Sequence, residues 1–453
     1  MTESTGELQR CVVVGASLAG MRAAEAVRKA GFAGEIVVIG DEPHMPYYRP
    51  PLSKDTLTTV PGPETTVPGP AASDAADTDT AVPPDPIAPD PIASDLATLA
   101  FRVPKNVQEA QWRLGRTVAA ADLTARTVTL ADGEVLGWSG LVVATGLRPR
   151  RLNLPGPTLG RHVIRTLDDS LRLRAELVPG TRLVIIGAGF IGCEVAASAR
   201  AMGVEVDVVA PESVPVERPL QTELGNALRR RHEGRGVRFH LGTVPTAFLG
   251  QDRVTGVVLR DGTELPADLV LEAVGCIPNV EWLDGNGLDL SDGVLCDNSL
   301  RVEGRPDIVA CGDVAKFANP RFDDVPRRVE HWTMVTDTAK RAGVALGRYL
   351  AGADPAADSA PDSSSAPVAD LFAPLPTFWS DQYGLRLQSF GAVGLGADDV
   401  RVLEGDLDGE VAVGYHLDGR LVGVALIGMA AHYPRFRAMI ADARQPAEAN
   451  SVP

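Results

Sequence analysis

The chain has 453 residues, of which 45% are hydrophobic and 23% charged, and this length and balance predict two to four globular domains. Its net charge of −16 disfavours nucleic acid and anionic membrane surfaces as partners, because phosphate binding requires a basic face. No run of about twenty apolar residues occurs and residues 1–10 lack a signal-peptide pattern, so we expect a cytoplasmic protein without a membrane span.

Residues 10–40 follow the order strand, glycine turn, helix and second strand. The apolar β-branched run at 11–14 predicts the first strand, helix formers follow from Met21 to Ala30, and 35–39 predict the second strand. A strand–helix–strand unit of this kind provides one nucleotide-sized site at the carboxyl edge of a doubly wound sheet.

The turn of this unit, from Gly15 to Gly20, is similar to the G-x-G-x-x-G pattern of dinucleotide-binding turns. The first glycine permits the tight turn and the last permits close helix–strand packing, which leaves backbone N–H groups able to hold a pyrophosphate. Ser17 replaces the middle glycine, and its small side chain still allows close approach. Asp41, after the second strand, is placed to accept hydrogen bonds from an adenosine ribose.

Two segments lack the residues needed to build a core. Residues 61–92 contain nine prolines, and residues 351–370 are rich in Ala, Asp, Ser and Pro. Such compositions cannot offset the entropy lost on ordering, so we predict a disordered insert at 61–92 and a linker at 351–370.

Residues 181–210 repeat the first plan, with a helix predicted from Cys193 to Met202. The turn between strand and helix matches the glycine pattern in full, at Gly187, Gly189 and Gly192. One such pattern is weak support for a nucleotide site, but two patterns in two strand–helix–strand units strongly indicate two sites.

The residues after the second strand of this unit bear on the choice of coenzyme. NAD sites usually carry an acidic residue where this chain has Ala210, and Glu212 lies two residues further on and can substitute for it. The nearest arginine that could hold a 2′-phosphate is Arg218. We therefore expect NADH as the coenzyme, with NADPH possible.

The pattern changes again after residue 371, where short strands such as 411–415 and 421–427 flank a turn at Asp418 and Gly419. This end of the chain predicts a small α+β domain. The five cysteines of the whole chain form no C-x-x-C pair and have no zinc-ligand spacing with the seven histidines, so we interpret them as isolated buried thiols and expect no metal site.

Six motifs together resemble those of a known family. They are Tyr48–Lys54, Ala144–Arg150, Arg165–Asp169, Cys311–Ala315, Glu330–Trp332 and Phe378–Gln382. In these motifs the chain is similar to the FAD-dependent ferredoxin reductases of bacterial oxygenase systems, such as putidaredoxin reductase and rhodocoxin reductase, and more distantly to apoptosis-inducing factor. The resemblance covers nearly the whole chain apart from the two segments that lack a core.

The resemblance implies an α/β fold with two Rossmann-like domains, for FAD and NAD(P), in a glutathione reductase-like arrangement, followed by the C-terminal α+β domain. The FAD-binding domain would comprise residues 1–145 and 272–350, and the NAD(P)-binding domain residues 146–271. The linker at 351–370 would lead to an interface domain at 371–453. The oligomeric state stays open.

The resemblance also implies which residues contact the cofactors. Those expected to contact FAD are Ala19, Asp41, Lys54, Val118, Arg165, Asp313 and Trp332. Further nucleotide-binding candidates are Gly15, Ser17, Gly20, Arg49, Thr145, Gly146, Gly187, Gly189, Gly192, Glu212, Gly275 and Gly312. A helix at 332–350 would direct its positive N-terminal end at the flavin pyrimidine ring.

Three residues are expected to set the chemistry at the flavin edge. The family pattern brings Lys54 beside Glu194, and a lysine in a cleft screened from water needs such a counter-charge. Phe190, in the second glycine turn, would cover the isoalloxazine face until nicotinamide displaces it.

The function implied is transfer of electrons from NAD(P)H through FAD to a small iron–sulfur ferredoxin that serves a monooxygenase or a Rieske oxygenase. Flavin-dependent disulphide reductases are excluded, because no cysteine lies between Cys11 and Cys193, the region that includes their redox cysteine. A rubredoxin or nitrite-system reductase, an NADH oxidase, and a redox-dependent binding protein remain as alternatives.

Overall fold

A computed structural model describes residues 9–58, 91–354 and 371–442. The predicted disordered insert and linker therefore lie largely outside the described residues. Residues 91–92, the last two of the predicted insert, are described, and they form the start of a helix and not part of a disordered segment.

The helices and strands of the described residues can be given in chain order. The helices are α1 (Leu18–Lys29), α2 (Asp55–Thr58), α3 (Pro91–Leu99), α4 (Leu167–Glu176), α5 (Phe190–Ala201), α6 (Glu217–Glu233), α7 (Trp332–Leu350) and α8 (Tyr433–Asp442). The strands are β1 (Arg10–Val14), β2 (Glu35–Ile39), β3 (Gln111–Arg113), β4 (Val118–Asp122), β5 (Thr127–Leu130), β6 (Val135–Gly137), β7 (Gly140–Val143), β8 (Leu147–Pro149), β9 (Arg161–His162), β10 (Arg182–Ile186), β11 (Glu205–Ala210), β12 (Val237–Leu241), β13 (Pro245–Leu249), β14 (Gly256–Leu259), β15 (Glu264–Pro266), β16 (Leu269–Glu272), β17 (Cys276–Pro278), β18 (Val294–Leu295), β19 (Ile308–Ala310), β20 (Ala315–Phe317), β21 (Arg327–Arg328), β22 (Thr377–Gln382), β23 (Leu385–Gly391), β24 (Val400–Gly405), β25 (Val411–Leu417) and β26 (Arg420–Ile427).

The first sheet is parallel and has the strand order β19-β7-β1-β2-β3, so its strands come from both ends of a long stretch of chain. Helices α1 and α7 pack closely against each other beside this sheet. A Cβ atom added at Gly343 would lie 2.5 Å from Ala26 Cβ, and one at Gly347 would lie 2.6 Å from Val27 O. The two glycines of α7 thus permit this close approach of the helices.

The second sheet is also parallel, with the order β12-β11-β10-β16-β9. The C-terminal sheet is antiparallel, with the order β22-β23-β26-β25-β24. We call each of these three sheets, together with the helices that pack on it, a structural unit. Leucines of α6 join the apolar core of the C-terminal sheet, so the second and third units share an apolar interface. No helix within the described ranges is long and apolar enough to cross a membrane.

The predicted helices differ from the observed ones mainly at their starts. Helix α7 spans 332–350 as predicted, but α1 and α5 each begin three residues before the predicted start. The physical reason is the same in both, because Ser17 and Gly189 are the N-cap residues and the last glycine of each turn already lies in the first helical turn.

Candidate active site

The first glycine turn joins β1 to α1 through two glycines that tolerate no side chain. Gly15 has φ of +118°, and a Cβ atom there would lie 2.1 Å from Ala144 O at the end of β7. A Cβ atom at Gly20 would lie 1.9 Å from Gly15 O. The turn is therefore held tightly against the sheet, and the N-terminus of α1 lies at the carboxyl edge of the strands.

The second turn repeats this geometry between β10 and α5. Gly187 has φ of +108°, with an added Cβ atom 2.2 Å from Ala273 O, and one at Gly192 would lie 2.1 Å from Gly187 O. An added Cβ atom at Gly189, the middle position, meets no atom within 4 Å. Because the middle position of this turn is open, the serine at the corresponding place in the first turn, Ser17, is compatible with the same backbone.

One cavity of about 900 Å³ is bounded by both turns and by all three units. Thirteen of the residues predicted to act in catalysis or cofactor binding line it: Ser17, Ala19, Arg49, Lys54, Gly146, Arg165, Gly189, Phe190, Glu194, Gly275, Gly312, Asp313 and Trp332. Its size lies in the range of small-molecule and cofactor sites.

The ion pair predicted between Lys54 and Glu194 is present in the cavity wall. Lys54 Nζ lies 2.6 Å from Glu194 Oε2 and also donates to Pro50 O at 3.0 Å. Both side chains are largely buried, with 15% and 4% of their surfaces exposed. Glu194 also accepts hydrogen bonds from the hydroxyls of Ser53 and Ser380, at 2.5 and 2.7 Å. A buried carboxylate with this many donors is held in one orientation.

A second ion pair lies elsewhere in the same cavity wall. Arg165 Nη2 lies 3.2 Å from Asp313 Oδ2, and both side chains are partly exposed to the cavity. Arg49 donates to the backbone oxygen of Arg165 at 2.7 Å and forms an ion pair with Glu42. The carboxylate of Asp313 thus lies beside a fixed cation and is available to accept hydrogen bonds from hydroxyl groups.

Aromatic rings close the cavity on the side of the C-terminal sheet. Phe190, the first residue of α5, packs against Phe378 with ring centroids 4.9 Å apart, and His331 contacts the same ring at 4.9 Å. Trp332, the first residue of α7, lies edge-on to Tyr48 at 5.2 Å. The C-terminal unit therefore contributes directly to the site, through Phe378 and its neighbours.

The other predicted residues do not line the cavity. Gly15, Gly20, Gly187 and Gly192 shape the two turns, and Thr145 Oγ1 donates to Asn279 O at 2.6 Å. Asp41 and Glu212 follow β2 and β11, and Val118 is a core residue of β4. Contacts of Asp41, Glu212 and Val118 with a nucleotide stay predictions.

Several cavity residues were not predicted from the sequence. Ser53, Glu272, His331, Phe378 and the segment 391–395 line the cavity, and Ser380 reaches it through Glu194. The motifs at 48–54, 330–332 and 378–382 contained a signal for four of them, since they include Ser53, His331, Phe378 and Ser380. All five cysteines are free, and burial raises the pKa of the thiols of Cys11, Cys193, Cys296 and Cys311.

The buried His232 and the partly buried His331 should make stability depend on pH. Burial lowers the pKa of His232 and of His331 to about 4, so both are neutral in the folded protein at neutral pH. A histidine in the unfolded chain titrates near pH 6.5. Between these values the unfolded state binds more protons than the folded state, so the contribution to stability is complete above about pH 6.5 and is lost as pH falls toward 4.

We expect the melting temperature to fall when the pH is lowered from about 7 to about 5, and His232→Gln to reduce that fall, because glutamine does not titrate. Thermal unfolding followed by circular dichroism at several pH values measures how steeply the melting temperature depends on pH in the wild type and in His232→Gln. An unchanged slope in His232→Gln would contradict the assignment of neutral burial to His232.

The residues present fit the cofactors that the resemblance implies. The tight outer glycines of both turns, with Ser17 in the middle of the first and an open middle position at Gly189 in the second, leave room for a pyrophosphate against a helix N-terminus. Helix α7 starts at the cavity, and its N-cap residue, His331, makes no side-chain capping bond. Its first N–H groups and positive dipole end therefore favour an anionic or electron-rich group there.

Comparison with known proteins finds related sequences that match nearly the whole chain. Residues 9–343 match the family model described as pyridine nucleotide-disulphide oxidoreductase, and residues 377–452 match the model described as reductase C-terminal. The ferredoxin–NAD(+) reductase component of the anthranilate 1,2-dioxygenase system of Burkholderia cepacia is 34% identical, over 96% of this chain and 95% of that protein.

A second relative and a solved structure indicate the same family. Rhodocoxin reductase of Rhodococcus erythropolis is 32% identical, over 91% of this chain and 85% of that protein. The solved complex of putidaredoxin reductase with putidaredoxin matches with a TM-score of 0.79 and 29% identity, over 97% of this chain and 94% of the solved chain. The predicted fold class is confirmed, and the chain belongs to the pyridine nucleotide-disulphide oxidoreductase family and, within it, to the ferredoxin reductases of oxygenase systems.

Proposed function

We propose that this protein transfers electrons from NADH, through bound FAD, to a small iron–sulfur ferredoxin that serves a monooxygenase or a Rieske oxygenase. The observation that carries the proposal is a single cavity bounded by both glycine turns, with the Lys54–Glu194 pair in its wall. The names of the relatives support it, because they are ferredoxin reductase components of oxygenase systems.

Bound FAD supplies the redox chemistry, because its ring accepts electrons in pairs from a nicotinamide and releases them singly. The residues of the chain would bind and orient the two nucleotides. The N–H groups at the start of α1 and α5 would hold the pyrophosphates, and Asp313 would accept hydrogen bonds from ribityl hydroxyls. Phe190 would shield the ring from water until the nicotinamide arrives.

The organisation of the chain supports the same proposal. We assign residues 1–145 and 272–350 to FAD binding, 146–271 to NAD(P)H binding and 371–453 to the interface, in line with the three main sheets. The last residue of β16, Glu272, belongs to the second sheet by its pairing with Ile186. A cytoplasmic location suits the five free thiols, since disulphides do not persist in that compartment.

Anaerobic rapid mixing of the purified protein with NADH tests the first half of the reaction through bleaching of the flavin absorbance. Cytochrome c reduction, with and without added ferredoxin, tests the second half. We expect fast bleaching and a large stimulation by the ferredoxin. A protein that is reduced slowly and gains nothing from a ferredoxin would instead be a redox-dependent binding protein.

For the coenzyme, we expect kcat/KM to favour NADH over NADPH by about tenfold, or ~1.4 kcal/mol. Glu212 is the carboxylate placed to select, because Ala210 stands where NAD sites usually carry their acidic residue and Glu212 lies two residues further on. Glu212 also forms an ion pair with Arg218, at 3.2 Å. Glu212→Gln should lower the NADH preference, since it removes the carboxylate and frees the guanidinium for a 2′-phosphate. Equal or better activity of the wild type with NADPH would contradict this prediction.

A further inference from the structure

A row of buried polar side chains leads away from the Lys54–Glu194 pair. Glu194 Oε1 accepts a hydrogen bond from Ser380 Oγ at 2.7 Å, and Ser380 Oγ accepts one from Gln382 Nε2 at 3.0 Å. Gln382 Oε1 lies 2.8 Å from His232 Nε2, and His232 Nδ1 lies 3.0 Å from the hydroxyl of Tyr383. We call these five residues the Glu194 network.

The Glu194 network runs between two structural units. Glu194 belongs to α5 and His232 to α6, whereas Ser380 and Gln382 belong to β22 of the C-terminal sheet. Glu194, Ser380, Gln382 and His232 are between 0 and 6% exposed. These side chains are therefore largely shielded from bulk solvent, and each of their polar groups depends mainly on its neighbour in the network.

The directions of the hydrogen bonds follow from the paired carboxylate. An ionised carboxylate only accepts, so Ser380 uses its one proton on Glu194 and must accept from the amide nitrogen of Gln382. The amide oxygen then faces His232, whose Nε2 must carry the proton. Because burial lowers the pKa of His232 to about 4, the ring is neutral, and Nδ1 accepts from the Tyr383 hydroxyl. Every donor thus points toward Glu194.

We propose that Ser380, Gln382 and His232 are positioning residues for flavin reduction, which fix the orientation and charge of Glu194 and thereby hold Lys54 in the cavity wall. Hydrogen bonds aligned in one direction polarise one another, so the effect at the carboxylate exceeds that of Ser380 alone. The inference rests on the proposed function, because it assigns these residues to the same site.

Nuclear magnetic resonance of the FAD-bound, full-length protein with ¹⁵N-labelled histidine tests the direction without any turnover. We expect His232 to show a protonated Nε2 and an unprotonated Nδ1 at neutral pH, with its signals assigned by their loss in His232→Gln. In Glu194→Gln the new amide can donate to Ser380, so the directions are no longer fixed and the His232 signals should move toward a mixture of tautomers. A protonated Nδ1 in the wild type would overturn the proposal.

Rapid mixing with NADH tests the consequence for the reaction. Ser380→Ala and His232→Phe should each slow flavin bleaching about tenfold, while the NADH concentration at half-maximal rate changes less than about twofold. His232→Gln, which retains an amide N–H for Gln382, should recover much of the lost rate. A purely structural role would instead lower flavin content or melting temperature without this separation of rate from NADH binding.

Ser389→Ala is the matched control for Ser380→Ala. Ser389 is also fully buried in the C-terminal sheet, but its hydroxyl has no hydrogen-bond partner among the described residues. The flavin of the Ser389→Ala variant should therefore bleach at the wild-type rate. Wild-type rates in both Ser380→Ala and His232→Phe would overturn the proposal, as would equal slowing in Ser389→Ala. Failure of the wild type itself to be reduced by NADH would overturn the proposed function, and the tautomer measurement would still stand.

Discussion

Gly15→Val is expected to yield folded but colourless protein that retains no FAD. The Cβ atom of the new side chain would lie 2.1 Å from Ala144 O and 3.0 Å from Thr145 N, and both atoms belong to backbone that cannot rotate away. The φ of +118° adds strain for any residue other than glycine. The turn must therefore open, which displaces the N–H groups that would hold the pyrophosphate. The ratio of flavin to protein absorbance after purification in excess FAD measures the effect.

Two variants of the second turn serve as controls for Gly15→Val. Gly187→Val creates the same clash against Ala273 O, at 2.2 Å, but should retain FAD and lose only its reduction by NADH. Gly189→Ala adds a methyl group in open space and should retain the flavin. Circular dichroism identifies any variant that does not fold. Yellow Gly15→Val protein, or FAD loss confined to Gly187→Val, would show that the two turns are assigned to the wrong nucleotides.

Lys54→Gln is expected to slow flavin bleaching by NADH about a hundredfold, with little change in NADH binding. The substitution removes the cation 2.6 Å from Glu194 and leaves that carboxylate buried without its counter-charge. It would also remove the cation that the family resemblance places at the flavin edge, where the nicotinamide would deliver its hydride. Rapid mixing at several NADH concentrations separates the rate of bleaching from NADH affinity.

Lys29→Gln provides the matched control for Lys54→Gln. Lys29 lies on the surface of α1, 67% exposed, and pairs with Glu25 one helical turn away. Such surface pairs contribute little, so this variant should be reduced at the wild-type rate. If Lys54→Gln were also reduced at the wild-type rate, the Lys54–Glu194 pair would have no part in the reaction.

The sequence by itself determined the local features of both nucleotide sites. The two glycine turns and the strands around Asp418 and Gly419 follow from local rules, namely positive φ at glycine and alternation in strands, whereas the bounds of α7 came from the family resemblance. The Lys54–Glu194 pair could be expected only through the family resemblance, because 140 positions separate the two residues and no local pattern brings them together.

Only the tertiary structure decided what surrounds that pair. Ser380 reaches Glu194 across 186 positions of sequence, and Gln382 reaches His232 across 150. Read alone, the serine and glutamine of β22 are indistinguishable from polar residues on the solvent face of an antiparallel strand. They became buried partners of a carboxylate because the C-terminal sheet packs against α5 and α6, and such packing depends on the shapes of whole units, which local sequence patterns do not encode.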